Sequence, residues 1–394
     1  GYLDSCKDNP CSLDWLWRLL RFLVLRERGN NLYRNLDRYL GIPLAMLAGS
    51  LRKIDKNSFD SKQVEKIGIL CLGAIGDLLL TSALVNGFAS CLPGVSIELV
   101  SSRANSCALE LLGNVDSKKA FAVKKPWDLI NYVRSRQYDL FVDTTQWARL
   151  GALVSIFSGA KHTIGFDTPG QHRGIGYDIK VQHKRDRHEI DNFLALGKAV
   201  IADFRGEAGL YVPKINSNSI ERAKVIYLHM WPAPGKGCSL KMWPEEHWAM
   251  LARFLLDNGF YIKLTGSEFD APANKAFLNK YFAGETQISS IAGDFSLAEL
   301  AFLLKNGSAL VSVNTGIMHL GAIVGAPTIG LHGATNPQRW GPVGPRCISL
   351  VPHKGEFGYL NLGFEYPPGA QTAMQWLPVE DVIKALDNLD VKTP

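Results

Sequence analysis

Cysteine is scarce and never clustered. The seven present (Cys6, Cys11, Cys71, Cys91, Cys107, Cys238, Cys347) form no C-x-x-C pair, which removes a zinc ribbon and a thioredoxin-type redox site. An odd, scattered set in mostly apolar surroundings reads as small core residues and suits a reducing compartment. Neither G-x-G-x-x-G nor G-x-x-x-x-G-K-[ST] occurs, so dinucleotide and P-loop sites are excluded. The nine histidines never fall at H-E-x-x-H or a comparable ligand spacing, so no metal site is expected. No stretch carries the short apolar core and small-residue cleavage site of a signal peptide. A clean membrane span is missing too. The longest charge-free run, between Lys305 and Arg339, contains Asn314, Thr315, His319, Pro327 and His332. It reads as buried parallel strands joined by functional turns. Glycine is frequent but has no three-residue period, which excludes collagen.

What is present fits a two-domain globular protein with an appendage. At 394 residues the chain exceeds the size of one ordinary core, and 46% hydrophobic with 20% charged residues excludes wholesale disorder. Net charge is +6, and its placement is uneven: residues 14–56 hold nine Lys/Arg against four acids. The near-neutral remainder argues against a nucleic-acid groove. Within that leader, Leu16, Leu19, Leu20 and Leu23 share one helix face opposite Arg18, Arg21 and Arg28, with Trp15, Trp17 and Phe22 at the boundary. A second apolar stretch, residues 40–51, is too short to cross a bilayer. Two readings compete for residues 14–53: a basic amphipathic anchor on an anionic membrane surface, or a helical hairpin packing its leucine face on the body.

From Lys66 onward, short apolar strands alternate with helical patterns, the rhythm of βαβ units and a parallel sheet. Strands are expected at residues 67–72, 96–100 and 138–142, and the rhythm restarts after Pro213 with strands at 225–228, 260–265, 309–313 and 327–331. The expected divisions are a helical extension over 1–62, one α/β domain over 63–213, a second over 214–377, and a closing helix over 378–394.

Three constellations can carry chemistry. Gly73-Ala74-Ile75-Gly76-Asp77 turns sharply after the first strand and opens a helix whose free N–H groups suit an anion or polar ligand. Asp77 is either a ligand-facing carboxylate at a strand's carboxyl end or simply a helix cap. Asn314-Thr315-Gly316-Ile317-Met318-His319 offers a hydroxyl, a glycine backbone and an imidazole at a second helix start, a diphosphate cradle. The alternative has Thr315 capping and His319 as an ordinary core residue. Lys241 precedes Trp243-Pro244, where Glu245 and Glu246 read as helix-dipole partners and Lys241 is placed to face a phosphate. The run His183-Lys184-Arg185-Asp186-Arg187-His188-Glu189 reads as a solvated face at a helix start.

These pieces, in order along the chain, resemble glycosyltransferase family 9, the lipopolysaccharide heptosyltransferase family. The resemblance runs through the G-A-I-G-D turn, Tyr138–Asp143, Ser158–Lys161 with Ile164-Gly165-Phe166, Lys241–Trp248, Leu264-Thr265-Gly266, Asn314–His319 and Gly333–Pro337. It implies a GT-B fold, α/β, with two Rossmann-like domains facing across a cleft. The acceptor would sit on the first domain and the nucleotide-sugar, most simply ADP-heptose, on the second, with no further cofactor. It implies Asp77 as catalytic base, and Lys241, Glu268, Asn314, Thr315, Gly316 and His319 on the donor. Gly76, Arg149 and Arg173 would lie on the acceptor side. The absence of D-x-D agrees with a metal-independent, inverting transfer to an envelope glycolipid or its core oligosaccharide, at the cytoplasmic face of the inner membrane. Two departures stand out: Asn314 replaces the family's usual aspartate, and residues 232–238 insert before Lys241. The competing readings are a catalytically weak membrane-bound scaffold and a GT-B sugar-nucleotide epimerase.

Overall fold

The computed structural model describes residues 35–37, 39–51, 59–214, 224–235, 237–363 and 365–391. The amphipathic stretch at residues 13–28 lies outside them. The first sheet contains β1 (Lys66–Cys71), β2 (Ser96–Ser102), β3 (Ser117–Phe121), β4 (Leu140–Asp143), β5 (His162–Phe166) and β6 (Ile179–Val181). Its order is β3-β2-β1-β4-β5-β6, and every pairing is parallel. The second contains β7 (Val225–His229), β8 (Tyr261–Leu264), β9 (Ile288–Ser290), β10 (Ala309–Val313), β11 (Thr328–Leu331) and β12 (Cys347–Leu350). Its order, β12-β11-β10-β7-β8-β9, repeats the same winding, with all strands again parallel. Helices cover both faces, which is why the central strands are continuous apolar runs: all of β4, β10 and β11 is buried. The fold is α/β with two doubly wound units, as the alternation predicts.

Winding direction reverses between β1 and β4 in one sheet and between β7 and β10 in the other. Open α/β sheets bind ligands outside the carboxyl ends of their strands at these two places. One buried apolar cluster continues from β1 and its flanking helices into helix Leu297–Asn306 of the second unit through Leu300, Ala301 and Leu304. The closing helix, Val379–Asn388, does not stand apart: it packs on β11, β12 and helix Glu245–Asp257.

The leader helix Gly41–Leu51 lies on helix Arg149–Phe157 and the turn Gly174–Gly176. Its contact face is built from small residues one turn apart. A Cβ on Gly41 would lie 3.0 Å from Arg149 Cβ, one on Gly49 would lie 2.8 Å from Ile175 Cγ1, and Ala45 is fully buried. The larger side chains stay outside that contact: Leu40, Leu44, Met46 and Leu47 are all more than half exposed, and Leu40 and Leu44 line a cavity with residues of the first unit. Helix Gly41–Leu51 thus packs through the face that lets two backbones approach. The leucine face on which the hairpin reading rests, Leu16 to Leu23, lies outside the described residues.

Candidate active site

At the first reversal point, β1 leads into Gly73-Ala74 and helix Ile75–Leu80. Asp77 folds back so that Oδ2 accepts the Ala74 N–H at 2.6 Å, while Oδ1 accepts from the Gln146 amide at 3.2 Å. Gln146 comes from the loop after β4, so this hydrogen bond bridges the crevice between the two strands where winding reverses. Asp77 thus caps its helix and also lines a cavity of about 340 Å³ beneath the leader helix. Capping and facing a ligand prove compatible.

At the second reversal point, helix Gly316–Ile323 follows β10. Thr315 occupies the cap position in extended backbone, yet its side chain makes no capping bond, and its buried Oγ1 has no partner. His319 is buried, with Nδ1 unpartnered as well. Burial, reinforced by His188 and His332, pushes its pKa down to about 3, so the imidazole is neutral at physiological pH. Unsatisfied buried polar atoms at a helix N-terminus mark a place where a ligand completes the bonding. The simple reading of Thr315 as a cap is not realised.

Both helix starts meet. A Cβ on Gly76 would lie 2.9 Å from His319 Cδ2, and one on Gly316 would lie 3.0 Å from Ile75 Cβ and 3.2 Å from the Gly76 backbone nitrogen. Only glycine at both positions allows the units to approach this closely. Two motifs 240 residues apart in sequence therefore form one site.

Asn314 has a packing reason. Its Nδ2 donates to the Trp340 carbonyl at 2.8 Å, a bond that an ionised aspartate has no proton to make. Lys241 ends the short helical turn Cys238–Lys241 and is half-buried. His332, at the end of β11, feels its charge: burial and then Lys241 lower the His332 pKa to about 3. His332 Nε2 is a third unpartnered buried atom, and Nδ1 lies 3.3 Å from Thr335 Oγ1. Glu268 is exposed in the loop after β8, against Gly293. The insertion enters the Lys241 turn through Gly237 in left-handed backbone (φ 75°). Among the described residues, no group of three or more His, Cys, Asp or Glu side chains is arranged to hold a metal ion.

The two arginines are engaged differently from a ligand-facing role. Arg149 is buried, its Nη1 3.1 Å from Asp37 Oδ2 of the leader and its Nε donating to the Gln171 carbonyl. Asp37 Oδ1 also accepts the Arg149 and Leu150 N–H groups at 2.8 and 3.1 Å, capping their helix from outside. Arg173 has no exposed surface. It bonds Asp143, Tyr177, Thr145 Oγ1 and the Thr145 carbonyl, holding the loop that carries Gln146.

The run from His183 to Glu189 is corrected at both ends. His183 and Glu189 are buried against Arg339 of the second unit, Arg339 Nε donating to Glu189 at 2.9 Å. Only Lys184, Arg185 and Asp186 are solvent-exposed. Gln146, His332, Asp37 and this cross-unit triad escape sequence reasoning. The first two do sit at carboxyl ends of central strands, a positional signal available in advance.

Compared with known proteins, the family model for glycosyltransferase family 9 (heptosyltransferase) matches residues 127–357. Lipooligosaccharide heptosyltransferase 2 of Haemophilus influenzae is 32% identical over 118 residues, 29% of this chain and 34% of that protein. Lipopolysaccharide heptosyltransferase 1 of Escherichia coli K12 is 25% identical over 221 residues, 54% of this chain and 66% of that protein. The alignments thus span between a third and just under two thirds of these relatives' lengths. Among solved structures, a glycosyl transferase family 9 protein from Veillonella parvula superposes with TM-score 0.72 at 19% identity, covering 84% of this chain and 98% of that one. Heptosyltransferase WaaC of E. coli with ADP superposes with TM-score 0.66 at 18% identity, covering 82% and 99%. These likenesses establish a shared two-unit fold.

Proposed function

Because the chain belongs to glycosyltransferase family 9, the heptosyltransferase family, we propose that it is an inverting glycosyltransferase that moves heptose from ADP-heptose to an envelope glycolipid. The observation that carries this reading is the meeting of the two helix starts: the Asp77 carboxylate on one unit, and unpartnered Thr315 Oγ1 and His319 Nδ1 on the other, joined across Gly76 and Gly316. An acceptor hydroxyl bound beside Asp77 gives its proton to the carboxylate as its oxygen bonds to the anomeric carbon. The anomeric carbon–oxygen bond to the diphosphate breaks on the opposite face, and ADP departs with the electron pair. Charge developing on the diphosphate meets Lys241 and the helix N-terminus at Gly316–His319, preorganised positive potential that takes the part a metal ion plays elsewhere. The neutral imidazoles of His319 and His332 donate or accept hydrogen bonds there without adding charge, and Glu268 holds the ribose. Arg149 and Arg173 act as positioning residues for the acceptor crevice.

The protein works at the cytoplasmic face of the inner membrane as a peripheral enzyme. Supporting this are the basic, Trp-containing stretch at residues 14–28 and the exposed Met46 and Leu47 of helix Gly41–Leu51; no described helix is long and apolar enough to cross a membrane. A calorimetric panel of ADP-, UDP- and GDP-sugars tests the donor reading. ADP-heptose is expected to bind most tightly; preference for a UDP- or GDP-sugar would overturn it.

A further inference from the structure

The cavity beside Asp77 has a mixed lining in which apolar residues are the majority. Its polar residues are Asp77, Thr144, Thr145 and Gln146 at the crevice between β1 and β4, with Ser102 and the leader's Asp37. The rest of the lining is largely hydrocarbon: Leu40 and Leu44 of the leader, with Leu72, Val123, Leu150 and Leu153 of the first unit. At about 340 Å³ it falls within the size range of small-molecule sites. A bare oligosaccharide fits this chemistry poorly, because many of its hydroxyls would lie against hydrocarbon. An acceptor that is a hydroxyl-bearing sugar at one end and a hydrocarbon chain at the other matches it throughout.

Resting on the transferase reading above, we propose that this cavity binds the hydrocarbon of the acceptor inside the protein, and so selects glycolipids whose accepting sugar is joined directly to the lipid. The geometry imposes the second half. Asp77 and the apolar wall belong to one cavity, so the accepting hydroxyl lies within one or two sugar rings of the hydrocarbon. A long core oligosaccharide would place its terminal hydroxyl too far from its lipid for both to lie in this cavity together. The leader helix is then part of the substrate site: its small face fixes it to the body, Asp37 clamps it to Arg149, and its leucines complete the chain-binding wall. Leu36, which lines the cavity, and Tyr39 and Trp127, each next in sequence to a lining residue, are exposed, an apolar surface by which a chain could enter from a bilayer.

The test uses the full chain, free of vesicles, titrated with n-alkyl β-glucosides from methyl to octyl below their micelle concentrations. Affinity should rise roughly three- to fourfold per methylene and then level off once the cavity is filled. Leu44→Asp, at a half-exposed position that should not disturb folding, places a charge in the wall and should flatten that series. Leu153→Trp should shorten the chain length at which it levels off. ADP affinity, measured on each variant, reports that the fold and donor site are intact. Equal affinity for methyl and octyl glucosides, or a steep series unchanged in Leu44→Asp, would overturn the proposal. ADP-heptose turnover without chain-length dependence would refute the lipid subsite alone. Chain-length dependence without any nucleotide-sugar turnover would instead refute the transferase reading.

Discussion

Replacing Glu189 by Gln would remove the charge that ties the two units together, and the structure sets the size of the effect. Glu189 and Arg339 have no exposed side-chain surface and lie 2.9 Å apart. His183 Nε2 stands 3.1 Å from Glu189 and 3.2 Å from Arg339 Nη2, and Arg339 also holds Asn361. Burial alone would raise the Glu189 pKa, but Arg339 and His183 outweigh it and bring it to about 2, from an ordinary 4.5. Such a depressed carboxyl contributes stability above its unfolded pKa and loses it as pH falls toward the folded one. A shift of this size corresponds to roughly 3 kcal/mol at neutral pH, of which about 1 is lost by pH 4 and about 2 by pH 3. Breaking a buried pair by removing one partner costs about 3–5 kcal/mol, because the remaining charge stays buried. Glu189→Gln should therefore unfold at clearly lower urea concentration at pH 7, and the gap to the unaltered protein should narrow as pH drops toward 3. Urea unfolding followed by tryptophan fluorescence across that range reads both. A variant within 1 kcal/mol of the parent at pH 7, or a gap constant with pH, would refute the reasoning.

Three further outcomes are expected. Lys241→Ala should weaken ADP binding while EDTA leaves turnover intact; activity that depends on added Mg²⁺ or Mn²⁺ would contradict the protein-borne positive charge. Asp37→Ala removes both a helix cap and the partner of a buried arginine, so it should cost about 2 kcal/mol or more and open the leader to limited proteolysis; an unchanged cleavage pattern would show that the clamp does not hold. Binding to anionic vesicles should weaken, without vanishing, as salt rises past 0.1 M, where the Debye length is ~10 Å, and should fall in Leu47→Glu; flotation measures both, and binding insensitive to either would dissociate the leader from the membrane.

The fold was legible where burial is two-sided. Strands β1, β2, β4, β7, β8, β10 and β11 are apolar runs and lie within two residues of their expected positions, because helices on both faces leave no polar alternation to read. Five strands have no counterpart among the expected ones: β3 is Ser-Lys-Lys-Ala-Phe with both lysines exposed, β6 and β9 have three residues each, and polar residues or glycine interrupt the short β5 (His162, Thr163, Gly165) and β12 (Ser349). Within the site, Asp77, Thr315 and His319 were legible because each opens a helix after a strand. What sequence does not carry is long-range pairing. Arg149 has the right type and spacing for an acceptor cation, yet Asp37, 112 positions earlier, takes its charge. The reason for an amide at Asn314 is the Trp340 carbonyl, 26 positions later, which needs a donor. In the leader helix Gly41, Ala45 and Gly49 decide the packing, since close approach rather than hydrophobicity sets that contact.

The measurement that bears most directly on the central claim is the rate of ADP release from ADP-heptose, with a short-saccharide glycolipid as acceptor, in the protein and in Asp77→Asn. The substitution keeps the shape and the helix cap but cannot take a proton. Turnover is predicted to fall by ~10²–10⁴ while ADP affinity stays the same. An Asp77→Asn protein whose turnover matches the parent's would return Asp77 to a capping residue and contradict the account.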